Sequence, residues 1–134
     1  MTVLDAPALA VIGFTEPLPG FPAYRDYALV AADVRGLLYW LQAVDAGGPR
    51  FLAVPTRAYF PAYAPVLPRA VRSELALAED AEPELFCIVT VPGGDVGGAT
   101  ANLRAPLAVN ATRCLARQVV LADGNHPIRR PLRR

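Results

Sequence analysis

Leu85-Phe86-Cys87-Ile88-Val89-Thr90-Val91 is a run of aliphatic, aromatic and β-branched side chains, closed by Pro92 and the glycine-rich Gly93–Gly98. Those residue types favour a pleated strand, and the flanking turn residues stop it, so the run reads as a β-strand. Outward from it the same reading recurs. Toward the C-terminus, the Gly93–Gly98 loop leads to Ala99–Leu103, then Leu107–Asn110 and Arg117–Ala122. Toward the N-terminus stand Arg50–Val54, Leu37–Ala43, Tyr27–Ala32 and Leu9–Phe14, separated by turns at Asp45–Pro49, Asp33–Gly36 and Glu16–Pro22. In Leu37–Ala43, Leu37, Tyr39 and Leu41 alternate with Leu38, Trp40 and Gln42. Both faces are largely apolar, which suits a central strand or one closing a barrel. Strands recurring about every ten residues predict a β sandwich or barrel. The helical candidate is Pro68–Ala78, with Val71 and Leu75 on one face.

The chain has 134 residues, 54% hydrophobic and 19% charged, which suits one domain spanning residues 1–134 and excludes a disordered tail. No repeat or interdomain linker is visible. The longest apolar runs, Ala6–Phe14 and Leu85–Val91, are too short to cross a bilayer. Met1–Leu9 carries Asp5 and no basic residue, unlike a secretory signal. A soluble cytoplasmic protein is expected. The net charge of +1 gives no general attraction to nucleic acid or membranes. Its distribution is uneven: Glu74, Glu79, Asp80, Glu82 and Glu84 form an acidic stretch, and Arg129, Arg130, Arg133 and Arg134 a basic end.

Catalytic equipment is thin. Lysine is absent, His126 is the one histidine, and Ser73 is the one serine, outside any GxSxG context. Cys87 and Cys114 without CxxC, and with one histidine, do not make a zinc or redox set. Gly93–Gly98 lacks the lysine of a phosphate loop. The acidic residues are the one feature favouring a small hydrolase, and they read better as a solvated face. No catalytic residue, cofactor or metal is expected. Two segments stand out as partner contacts: Tyr59, Phe60 and Tyr63, framed by Pro61 and Pro65, and the acidic Glu79, Asp80 and Glu82. The aromatics equally suit a core beneath a loop. An OB-like single-stranded nucleic-acid binder is the alternative, since such folds line a sheet with aromatics amid basic residues; here the nearest basic residue is Arg57.

Several motifs occur in one order. Leu18-Pro19-Gly20-Phe21 resembles a GLPGF turn, and Tyr39-Trp40-Leu41-Gln42-Ala43 a YWLQS strand. Phe51–Pro55 followed by Phe60-Pro61-Ala62-Tyr63 is similar to an F-x-V-x-P … FPDY stretch. Thr100–Pro106 matches TANL-x-AP, Val109-Asn110 the I-N after it, Gln118–Leu121 a QVIL strand, and His126–Leu132 a closing YPIRHPL. Together, from about Phe14 to Leu132, they resemble the FliW family of flagellar assembly factors. The departures are a short N-terminal strand, Ala43 for Ser, Ala62 for Asp and His126 for Tyr. The resemblance implies a mainly β, single-domain, antiparallel β-barrel-like fold with one or two short helices. It also implies a non-catalytic protein, monomeric when free, that binds flagellin in the cytoplasm and sequesters the RNA-binding translational repressor CsrA. Export of flagellin then frees it to relieve repression of flagellin synthesis. On that reading the acidic stretch approaches the basic repressor. Asn102 and Asn110 are expected to cap turns, and Gly20 to supply a backbone angle other residues resist.

Overall fold

Side-chain alternation along each strand sends every second residue to one interior, and the strands curl until that interior is closed. The computed structural model describes residues 9–122 and 124–132; the N-terminal residues 1–8, read above for a leader, and Arg133 and Arg134 of the basic end lie outside them. The strands are β1 (Leu9–Phe14), β2 (Asp26–Ala31), β3 (Tyr39–Ala43), β4 (Arg50–Pro55), β5 (Glu84–Thr90), β6 (Thr100–Ala101), β7 (Leu107–Asn110), β8 (Leu115–Gln118) and β9 (Arg130–Pro131). Two short helices, α1 (Thr56–Tyr59) and α2 (Arg69–Glu74), separate β4 from β5.

Seven strands close a barrel in the order β1-β2-β3-β4-β5-β7-β8. Every neighbouring pair is antiparallel except the seam, where Gly13 and Phe14 of β1 run parallel to Leu115 and Ala116 of β8. β5 shares its second edge: Glu84–Phe86 pairs with β7, while Val89–Thr90 pairs with β6, which β9 then extends. Inside the ring, Ile12, Phe14, Tyr27, Leu41, Phe86, Leu107 and Ala116 form the central cluster. Phe14 meets Tyr27 edge-on at 5.2 Å, and Tyr39 meets Phe86 at 5.3 Å. Burying each large apolar side chain there contributes about 1.5–3 kcal/mol.

A barrel wall has an outer face, and here two patches of it are apolar and covered. Val54, Cys87, Val89, Ala101 and Leu103 lie under Phe60, Tyr59 and Tyr63. Ala108, Val119 and Leu121 lie under Val71 and Leu75 of α2. Thus β5, whose residues are apolar on both sides, is a wall strand with an interior behind it and a lid in front.

The mainly β barrel and the short helices agree with expectation; several boundaries do not. The helix expected over Pro68–Ala78 ends at Glu74, because Ala76 takes φ +57° and turns the chain away. The strand expected over Arg117–Ala122 is β8, starting earlier and losing its regular ladder after Gln118. There Val119 and Leu121 still donate to the Pro106 and Arg104 carbonyls, but Pro106 has no N–H to return. Gly93–Gly98 is built as two 3-10 turns, with the Asp95 carboxylate accepting from Gly97 N–H at 3.0 Å. α1 and β9 have no counterpart in the sequence reading; four and two residues are too short to show a period. Gly20 does sit at φ +89°.

Candidate partner-binding surface

Pro55 ends β4 and starts α1, whose single turn delivers Phe60 onto the wall of β4 and β5. Phe60 N–H donates to the Thr56 carbonyl at 2.7 Å and Tyr63 N–H to that of Phe60 at 2.9 Å. Phe60 is 9% exposed and carries the Arg130 guanidinium over its ring at 5.5 Å. Tyr59 and Tyr63 are half-buried. The Tyr59 hydroxyl donates to the Leu37 carbonyl at 3.1 Å and that of Tyr63 to the Leu103 carbonyl. Tyr63 also receives the His126 ring edge-on at 5.1 Å. What this segment offers solvent is therefore the outer edges of two tyrosines, with Pro61 and Ala62 between them.

The acidic stretch divides into two parts. Glu74 is drawn onto β8, with its carboxylate 2.6 Å from Arg117 Nη1. The neighbouring Thr15 hydroxyl and the Arg117 guanidinium hold its carboxyl below the usual range, against the desolvation that opposes them. Thr15 Oγ1 completes no hydrogen bond of ordinary geometry, so Arg117 is the firmer contact. Glu79, Asp80 and Glu82 are exposed and make no ion pair among the described residues. Their loop is shaped from behind: Arg72 Nη2 of α2 donates to the carbonyls of Ala78 (3.0 Å), Glu79 (3.3 Å) and Ala81 (2.7 Å).

Tyr63 and Glu82 meet at one shallow depression, lined also by Thr56, Arg57 and Leu85. The fold thus brings together one member of each candidate segment. Glu79, Asp80, Tyr59 and Phe60 stand outside that depression.

Other polar groups have structural tasks. The Asn102 side chain accepts from the N–H groups of Arg104 (3.0 Å) and Ala105 (3.2 Å), a local turn cap. Asn110, buried, accepts from Arg113 N–H at 3.3 Å and also donates to the Leu75 carbonyl at 2.8 Å, so it caps its own turn and ties α2 to the barrel. That second bond, and the Arg72 clamp, had no signal in the sequence, because nothing local marks which carbonyls a long side chain will reach. Cys87 is buried, which pushes its thiol up to about 12. Among the described residues, no three His, Cys, Asp or Glu side chains are grouped to hold a metal, and no helix is long and apolar enough to cross a membrane.

A family model described as FliW protein matches residues 2–132. The chain is similar to the flagellar assembly factor FliW of Heliobacterium modesticaldum, 37% identical over 125 residues, covering 92% of this chain and 80% of that one. The corresponding protein of Moorella thermoacetica is 31% identical over 122 residues, covering 91% and 77%. A crystal structure of the flagellar assembly factor FliW superposes with a TM-score of 0.81 at 26% identity, covering 92% of this chain and 86% of that one.

Proposed function

We propose, on the premise that this chain belongs to the FliW family of flagellar assembly factors, that it works in the cytoplasm by exchanging two protein partners. As a free monomer it binds flagellin. When flagellin is exported, it captures the translational repressor CsrA and so relieves repression of flagellin synthesis. The observation that carries this reading is the family match along residues 2–132. No bond is made or broken in such an exchange; occupancy follows relative concentrations and affinities.

The surface supports a division of labour. Glu79, Asp80 and Glu82 stand exposed on a loop held by Arg72, a preorganised negative face for a basic repressor. Such charges raise the encounter rate and its salt dependence more than the final affinity. The outer edge of Tyr63 adds apolar contact beside Glu82. An OB-like nucleic-acid binder fits less well, since Phe60 is buried and both tyrosine hydroxyls donate to backbone carbonyls.

The test is titration of this protein with CsrA and with flagellin from the same host. Reversing Glu79, Asp80 and Glu82 to Arg is expected to slow CsrA association at least tenfold at low salt and to flatten its salt dependence. Unchanged association removes the acidic loop from the interface. If neither partner binds the wild-type protein, the exchange itself is wrong, and a salt-dependent shift of labelled RNA by this protein alone would favour the nucleic-acid reading.

A further inference from the structure

The barrel seam closes only part of the way. Gly13 N–H donates to the Cys114 carbonyl at 2.9 Å and Thr15 N–H to the Ala116 carbonyl at 3.0 Å. Two residues on, the next donor in this parallel register would come from residue 17, and Pro17 has none. β1 departs there through Pro17 and Pro19, while the other chain runs on. Val119 N–H donates to the Pro106 carbonyl at 2.9 Å and Leu121 N–H to that of Arg104 at 2.8 Å. By strand alternation, Gln118 and Val120 turn their N–H and C=O groups to the opposite edge, where no described residue pairs with them.

Among the described residues no backbone pairs with this row; the charges near its β1 end are Glu16, Arg117 and Arg25, whose guanidinium donates to the Thr15 carbonyl at 2.9 Å. Two adjoining shallow depressions, of about 280 and 350 Å³, run along it and share Pro68 and Val120. Val120 is 69% exposed and Val66, across the second depression, 88%. Their charged lining residues are Glu16 and Arg117. Arg117 lies 2.6 Å from Glu74 and 3.4 Å from Glu16, so its guanidinium is held more closely by Glu74, and the largely exposed Glu16 is the carboxylate lining the β1 end of the groove.

We infer that the open edge at Gln118–Val120 accepts an extended segment of a partner protein as an added β-strand. The backbone of that segment pairs with the N–H and C=O groups of Gln118 and Val120. An apolar side chain of it rests against Val120 and Val66, and a basic one approaches Glu16. Main-chain bonds supply the affinity and the alternate side chains the selectivity. This surface lies apart from the acidic loop and rests on the reading that the protein binds flagellin, whose segment is the one tested.

The experiment titrates full-length flagellin of the same host into the wild-type protein, Val120→Pro and Glu16→Gln. Proline is tolerated on an edge whose N–H faces away from the ladder, so Val120→Pro should keep the melting temperature while weakening binding at least tenfold. Glu16→Gln should weaken it by a smaller factor and reduce its salt dependence. Should Val120→Pro prove unstable, amide exchange on the wild-type complex decides. The Gln118 and Val120 amides are expected to slow more than tenfold on binding, with Val119 and Leu121, already bonded, changing little. Flagellin binding with Val120→Pro within twofold of wild type, or no protection at those amides, overturns the edge while leaving the flagellin reading intact. No flagellin binding by the wild type overturns both. Self-association of the wild type that Val120→Pro abolishes would make the occupant a second copy, against the proposal.

Discussion

Phe86 and Phe60 are both buried phenylalanines of one molecule, yet they are held by different physics. Phe86 lies inside the ring, 4% exposed, where alternation along β5 and its neighbours points it. Phe60 lies on the outside of the same wall, 9% exposed, placed by one turn of helix and roofed by Arg130 from the C-terminal segment. The interior needs only strands in register. The outer cluster needs segments that are distant in sequence to fold back over a surface that would otherwise be wet. The barrel interior is therefore expected to carry most of the stability, and the outer shell to be the part that yields first.

The largest expected effect tests the interior: Phe86→Ala should cost about 3–5 kcal/mol in denaturant unfolding, the usual range for emptying a filled aromatic site. Phe60→Ala should cost less, about 2–3 kcal/mol, since its cavity opens toward solvent and can partly collapse. Equal losses would make the outer cluster a second core rather than a lid. Tyr63→Phe is milder still, roughly 0.5–1.5 kcal/mol, because it removes one hydroxyl donor from a part-buried bond to the Leu103 carbonyl and leaves the ring in place. A larger drop would mean that the roof depends on that bond.

The smallest effect is pH-dependent. The folded pKa of Glu74 lies below its ordinary value of 4.5, so its contribution is present above that value and is lost as pH falls through the folded one. Acid unfolding followed downward from pH 4.5 should show this component in the wild type and lack it in Glu74→Gln. Identical acid profiles would show that the α2–β8 tie through Arg117 adds nothing to the outer shell.

Much of the barrel was legible in the chain. Leu9–Phe14 and Leu107–Asn110 are strands with the expected bounds, since period-two patterning and turn residues are local signals. Leu37–Ala43, apolar on both faces, is a barrel strand, shortened to Tyr39–Ala43 where Asp33 Oδ1 takes the N–H groups of Leu37 and Leu38 into a turn. The acidic stretch was legible as charge but not as two parts. Glu74 differs from Glu82 because Thr15 and Arg117, both far along the chain, lie beside one and not the other. The aromatic segment left two readings open, and side-chain type alone does not separate a lid from a contact patch.

The sequence by itself determined the strands, the turns, the sparse catalytic equipment and, through its ordered motifs, the family. Only the tertiary structure decided which edges meet, which outer faces are roofed, and where the seam stops. Patterning is a property of neighbours along the chain, whereas pairing depends on backbone groups from segments about a hundred residues apart. Whether Pro17 leaves Gln118 and Val120 without a partner is known only once β1 and β8 are side by side.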